Sequence, residues 1–214
     1  MTALHGVGLA LAYLIGAIPV GLMVGLARGV DVRKIGSGNI GATNVVRGLG
    51  ASFGLLVFAV DVGKGAAGVA VCRSLGIEGW LLAMGALFAV LGHNFSPYLG
   101  FKGGKGVATS LGAMLALAPV SALIALGVWF LVVLPTRYVS LASILAAASL
   151  PFAFSLRHPA HPQMLVPVAA LVIVVIGRHH ENIHRLLRGE ENRFGSRRES
   201  ADEGREQQAQ AGEH

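Results

Sequence analysis

From Val107 to Leu134 the chain runs for 28 positions without a charged side chain. About 20 consecutive apolar residues are enough to cross the hydrocarbon of a bilayer, so a run of this kind points to membrane-spanning helix. It is too long for one untilted crossing, and Pro119 stands near its middle. Proline removes a backbone donor and clashes with the turn before it, which breaks or bends a helix. The expectation is two shorter helices meeting around Ala118–Val120, with one long tilted helix as the alternative.

Further apolar runs cover Leu4–Ala27, Phe53–Val71, Trp80–Gly92, Val139–Leu156 and Gln163–Gly177. Only 13% of the residues are charged, where a soluble domain carries about 25%. The reading is an all-α, polytopic membrane helix bundle of about seven transmembrane helices, with residues 1–195 as a single domain. Pro19 and Gly21 should kink the first span, which a bundle tolerates, and Trp80 suits an interfacial anchor. The single cysteine, Cys72, leaves no disulfide framework or cysteine-based metal site. No Lys or Arg precedes Arg28, so nothing resembles the charged start of a cleaved signal peptide. From Glu190 the chain turns polar and charged with few apolar residues, so disorder is expected from there on, and residues 196–214 are set apart as a disordered polar tail.

A net charge of +6 is compatible with nucleic acid, but its distribution is not. Arg28, Arg33, Lys34 and Arg47 follow the first span, Lys102 and Lys105 the third, Arg137 the fifth, and Arg178, Arg185 and Arg188 the seventh. The opposite side holds only Arg73 and Arg157. Basic residues near span ends stay cytoplasmic, so the N-terminus is placed outside and the C-terminus in the cytoplasm. The expected contacts of these cations are membrane lipids and no nucleic acid.

That topology gathers three polar, glycine-rich segments on one face. The first is Ile35–Arg47, where Gly36, Gly38 and Gly41 alternate with Ser37, Asn39, Thr43 and Asn44 and Arg47 closes the stretch. Glycine lets successive N–H groups turn toward one point and form an anion-binding concavity; an ordinary glycine-rich turn is the alternative. The second is Lys102-Gly103-Gly104-Lys105-Gly106, with two cations flanking glycines at the expected start of a helix, where the dipole also favours anions. It lacks P-loop spacing, and lysines touching lipid headgroups are the alternative. The third is Arg178–Arg185, where His179 and Asn182 lie three apart and share a helix face. His179 and His180 are adjacent rather than stacked, so no metal site is expected. Within the second run, Asp61 and Lys64 are neighbours on one helix face, read as an ion pair inside the bundle with a direct role in substrate binding as the alternative.

Gly36–Arg47, Gly92–Thr109 and Arg178–Leu186, together with Asp61-Val-Gly-Lys-Gly65, resemble the bacterial acyl-phosphate:glycerol-3-phosphate acyltransferases. The resemblance runs from about Leu9 to Gly195, and its first two motifs are long and specific. It implies transfer of a fatty acyl group from acyl-phosphate to glycerol 3-phosphate, giving 1-acyl-glycerol 3-phosphate and phosphate, the first step of phospholipid synthesis. It implies no cofactor, a bacterial inner-membrane location with a cytoplasmic active site, and the enzyme that makes acyl-phosphate as a candidate partner. Ser37, Thr43, Asn44 and the amides of Gly36, Gly38 and Asn39 would hold the acyl-phosphate's phosphoryl group. Arg47 and Lys105 would bind phosphate, Arg47 on glycerol 3-phosphate, with Lys102, Gly103 and Gly104 completing the second loop. His179 and Asn182 would orient glycerol 3-phosphate. Either His179 or the departing phosphate would take the proton. Ser140 matches a family position near the glycerol phosphate. Asp61, Lys64 and His93 enter as structural support. A small transporter of a phosphorylated metabolite is the alternative from another class, since it too would set glycine-broken helices and cations around an anion.

Overall fold

The computed structural model describes residues 2–195, so the expectation for the tail 196–214 lies outside the described residues. The described part is helical, without strands. In chain order the helices are α1 (Ala3–Ala17), α2 (Val20–Ala27), α3 (Ala42–Leu49), α4 (Ala51–Ser74), α5 (Gly79–Asn94), α6 (Val107–Leu117), α7 (Pro119–Thr136), α8 (Val139–Arg157), α9 (Leu165–Gly177) and α10 (His180–Leu187).

The seven apolar runs are all helical, but unequal in length. Ala3–Ala27, Ala51–Ser74, Gly79–Leu99, Pro119–Thr136 and Val139–Arg157 are each long and apolar enough to cross a membrane. The long run divides at Ala118–Pro119, where α6 ends and α7 begins. At about 1.5 Å per residue, α6 with its 11 residues reaches only about half the hydrocarbon thickness. Pro162–Gly177 is also short and bends by 56° into His180–Leu187.

Proline breaks the first span as the sequence suggests, and the freed carbonyls find partners within the bundle. Lys64 Nζ donates to Ile18 O at 2.8 Å and pairs with Asp61 at 2.8 Å. Ser96 Oγ donates to Ala17 O at 2.6 Å. In hydrocarbon an unpaired backbone group costs several kcal/mol, so the Asp61–Lys64 pair closes the gap left by Pro19. Both residues are buried.

Small residues set the packing. A side chain at Gly16 would strike the backbone of Ala89, and one at Gly92 the backbone of Tyr13, so α1 lies directly on α5. Gly65 faces Thr109 and Gly112 faces Val62 in the same way, bringing α4 and α6 together. Between apolar helices in lipid, such close approach supplies much of the association. The main core runs between α1, α4, α5, α6, α8 and α9 through Val69, Met114, Phe154 and Leu171. A smaller cluster of Val20, Leu22, Val32, Ile40, Val45 and Val57 seats the Ile35–Arg47 segment on α2 and α4.

Two segments differ from the sequence reading. Arg28–Gly50, polar and lying between two apolar runs, reads from the sequence as loop, yet α3 forms there, so Thr43, Asn44 and Arg47 sit on a helix. Glu190–Gly195, expected to be disordered, folds back on the turn between α7 and α8: Phe194 N donates to Arg137 O at 2.7 Å, and Arg137 Nε to Phe194 O at 3.1 Å.

Candidate active site

At the polar end of the bundle, residues from four segments line a cavity of about 920 Å³. Ser37, Asn39, Thr43, Asn44 and Arg47 come from the first glycine segment, Lys105 from the second, Ser140 from the start of α8, and His179 and Asn182 from the turn into α10. Away from this cluster the wall turns apolar, with Leu55, Phe58, Leu111, Met114, Leu126, Trp129 and Phe130. One cavity therefore joins a cationic, donor-rich end to a greasy limb.

The first segment is organised by Asn44. Its amide nitrogen donates to Val32 O and Asn39 O, both at 2.8 Å, and its Oδ1 accepts the Ser37 N–H at 2.9 Å. Both amide hydrogens are thus used, and Asn44 shapes the loop rather than offering a donor to a phosphoryl group. The Gly41 N–H is likewise taken, by Asn39 Oδ1 at 2.8 Å. Gly36 and Gly38 have φ of +53° and +68°, a region that disfavours side chains, and Gly36 lies against Asn44 Oδ1.

The second loop is held from below by α5. Gly103 N donates to Asn94 O and Gly104 N to His93 O, each at 3.1 Å. The imidazole of His93 packs where a side chain on Gly104 would go, and its Nδ1 lies 3.9 Å from Asp61 Oδ1. Gly106, at φ +80°, caps α6. Lys102 points away, exposed, whereas Lys105 enters the cavity and donates to Asn182 Oδ1. Burial, followed by the nearby Arg185, pulls the Lys105 ammonium down to about 8. Gly36, Gly38, Gly103, Gly104 and Lys64 do not line the cavity, Gly36 and Gly38 being exposed and Lys64 buried.

His179 is buried, and its Nδ1 lies 2.8 Å from Val175 O. A carbonyl only accepts, so Nδ1 carries the hydrogen and Nε2 is left as an acceptor. Burial lowers the imidazole to about 4, against the opposing effect of the Val175 bond, so it is neutral at pH 7. Contrary to the expectation that this segment lacks H-E-x-x-H spacing, His180-Glu181-Asn182-Ile183-His184 has it. His180 and His184 are exposed, and among the described residues no group of three or more His, Cys, Asp or Glu is placed to hold a metal ion.

Sequence reasoning missed Glu191. Its side chain is only 6% exposed, and its carboxylate accepts from Ser140 Oγ at 2.9 Å, Asn182 Nδ2 at 2.7 Å and Arg185 Nε at 2.8 Å. Burial raises its carboxyl, but these three bonds and the Arg185 charge outweigh that and hold it below the ordinary value. Nothing in the polar run Gly189–Arg193 marks Glu191 rather than Glu190.

The model of the family described as "Glycerol-3-phosphate acyltransferase" matches residues 7–189. A glycerol-3-phosphate acyltransferase of Geobacter sulfurreducens is 48% identical over 186 residues, covering 86% of this chain and 95% of the relative. One of Thermus thermophilus is 46% identical over 192 residues, covering 90% and 96%. The crystal structure of PlsY (YgiH), an integral membrane glycerol 3-phosphate acyltransferase, is similar in its glycerol 3-phosphate form with TM-score 0.83 and 44% identity, over 89% of this chain and 96% of that one. Its lysophosphatidic acid form gives TM-score 0.81 and 43% identity, over 89% and 95%.

Proposed function

The chain belongs to the glycerol-3-phosphate acyltransferase family, and from that premise we propose that it transfers a fatty acyl group from acyl-phosphate to glycerol 3-phosphate. The products are 1-acyl-glycerol 3-phosphate and inorganic phosphate. The observation that carries the reading is the shape of this cavity: Arg47, Lys105, His179 and Asn182 line one part of it, and an apolar limb adjoins them. Both substrates bear a phosphate, and one bears a hydrocarbon chain. A site with several anion-binding side chains beside an apolar limb suits that pair.

In the reaction, the glycerol hydroxyl oxygen attacks the acyl carbonyl, the C–O bond to phosphate breaks, and the hydroxyl proton passes to a base. Ser37 and Thr43 line the site beside Arg47 and are assigned to the phosphoryl group of the donor. Arg47 and Lys105 counter the two phosphates, Arg47 chiefly that of glycerol 3-phosphate, where its planar fork suits a tetrahedral oxyanion. Asn182 and the free Nε2 of His179 orient the acceptor. The acyl donor is already activated, so positioning and charge neutralisation provide the catalysis.

The cavity faces the cytoplasm of a bacterial inner membrane in this reading. The four segments that build it carry the chain's basic loops, and basic loops stay cytoplasmic. Each pair α4–α5, α6–α7 and α8–α9 then leaves that face and returns to it. The enzyme that makes acyl-phosphate is the partner this placement allows.

The test is a phosphate-release assay on the purified protein with palmitoyl-phosphate, with and without glycerol 3-phosphate. Phosphate release that depends on glycerol 3-phosphate supports the reading. Robust turnover with palmitoyl-CoA, and none with palmitoyl-phosphate, sinks it.

A further inference from the structure

The geometry points to Arg178 as the positioning residue that locks the Lys105 loop onto the turn carrying His179 and Asn182. Its Nη2 donates to Gly103 O at 2.8 Å and its Nε to Gly104 O at 3.1 Å, and the guanidinium lies 5.6 Å from the centre of the Phe95 ring. Arg178 is not among the residues that line the cavity, so it acts through others.

What it holds is a loop with no other freedom. The N–H groups of Gly103 and Gly104 are bonded to α5, and their carbonyls to Arg178. A side chain on either glycine would collide with His93. The two peptide units are therefore gripped on both sides, by α5 below and by the guanidinium above. Lys105 follows directly and donates to Asn182 Oδ1, while Asn182 lies four residues beyond Arg178. Arg178 and Lys105 thus make two cross-links between the same two segments, one through backbone carbonyls and one within the cavity. Without Arg178 the loop is held on its α5 side alone, and its carbonyl side, from which Lys105 leads off, is free to shift as a phosphate binds. Two carbonyls on successive residues need two donors at a fixed spacing, which a guanidinium has and an ammonium lacks.

This inference rests on the reading that Lys105 counters a substrate phosphate and that Asn182, which Lys105 holds, orients glycerol 3-phosphate. The experiment compares wild type with Arg178→Lys and Arg178→Gln, purified, at saturating acyl donor, and reads KM for glycerol 3-phosphate apart from kcat. KM is independent of the fraction of enzyme that is folded, so partial misfolding lowers only apparent kcat. Arg178→Lys keeps the charge and loses one of two bonds; its KM for glycerol 3-phosphate should rise roughly tenfold or more. Arg178→Gln should raise it at least as far, and kcat should change by less than about threefold in both. A KM within about twofold of wild type, with or without a lower kcat, overturns the proposal. So does failure of both variants to accumulate as folded protein, which makes Arg178 a structural anchor. If wild type releases no phosphate from acyl-phosphate, the donor assignment fails instead, and the same KM comparison is made with the acyl donor it does use.

Discussion

Glu191 accepts the side-chain amide of Asn182 at 2.7 Å through the same carboxylate oxygen that takes the Ser140 hydroxyl at 2.9 Å. The other oxygen takes Arg185 at 2.8 Å. Asn182 is left with a fixed orientation, its Oδ1 turned to Lys105. A residue just outside the last helix therefore aims a residue inside the site.

Glu191→Ala should remove that aim. It leaves the Arg185 guanidinium, among the described residues, with only Glu181, 4.0 Å away, and lets the Asn182 amide rotate, and an unmade bond to a charged group costs about 1.5–3 kcal/mol. The expected loss in kcat/KM for glycerol 3-phosphate is on the order of 10–100-fold. Glu191→Gln keeps one oxygen for Asn182 and Ser140 but turns an amide toward Arg185, so its loss should be smaller. Wild-type kinetics in Glu191→Ala would show that the contact has no part in catalysis.

That contact shows where the sequence stops being legible. The spans could be read because apolar runs and proline act locally: Pro119 divides the long run where the structure divides it, and Pro19 sits in the break between α1, which ends at Ala17, and α2, which begins at Val20. Ser37, Arg47, Lys105, His179 and Asn182 stood out because glycine, short polar side chains and cations are costly near hydrocarbon and were concentrated in three segments. Glu191 has no such contrast, since it sits in a charged run and owes its place to Arg137 holding Phe194. Asn44 was visible but not its task, because a loop donor and a loop organiser look alike until its partners Val32 and Asn39 are known.

The pH dependence should report Lys105. Its ammonium is buried and sits at about 8. A lowered amine pKa means that the charge is lost at a lower pH than usual. Binding of a phosphate needs the charge, so kcat/KM should fall as pH rises through about 8, with a limb belonging to the free enzyme. Bound phosphate favours the cation, so the limb in kcat should lie higher. Arg stays charged across this range, and Lys105→Arg, though slower, should lose the limb. A profile in which Lys105→Arg keeps the same alkaline limb would assign it to another group.

Orientation is open to single-cysteine labelling in a background with Cys72 replaced. Gly38 has φ of +68° and Gly103 meets the His93 backbone, so neither accepts a side chain without strain. Lys34, Lys102 and Arg188 are exposed beside the three polar segments and take their place. All three should be silent to an impermeant thiol reagent added outside intact cells and react once the membrane is opened. Labelling of any one from outside would refute the cytoplasmic site and the seven-span path.

The last prediction separates direct transfer from an acyl-enzyme, in which Ser37 would be the nucleophile and His179 its base. Three features favour direct transfer. Ser37 lies in a turn between Gly36 and Gly38, not on the strained strand-to-helix elbow that activates a serine. Acyl-phosphate is already an activated donor, so a covalent intermediate would gain little. His179 sits at about 4, whereas even a phosphate monoester's second ionisation is near 6, and inorganic phosphate, which gains the charge of the broken ester bond, is more basic still, so the departing phosphate is the stronger base by at least roughly two pH units. Inorganic phosphate release should therefore require glycerol 3-phosphate, with no burst in its absence. Ser37→Ala and His179→Ala should both slow turnover, through lost binding of donor and acceptor respectively, and neither should add or remove a limb between pH 5 and 8, roughly the range in which an unperturbed histidine titrates. A stoichiometric phosphate burst without acceptor, with an acyl ester trapped on Ser37, would decide for the covalent route, and an acid limb near 6 that vanishes in His179→Ala would restore the histidine as the base.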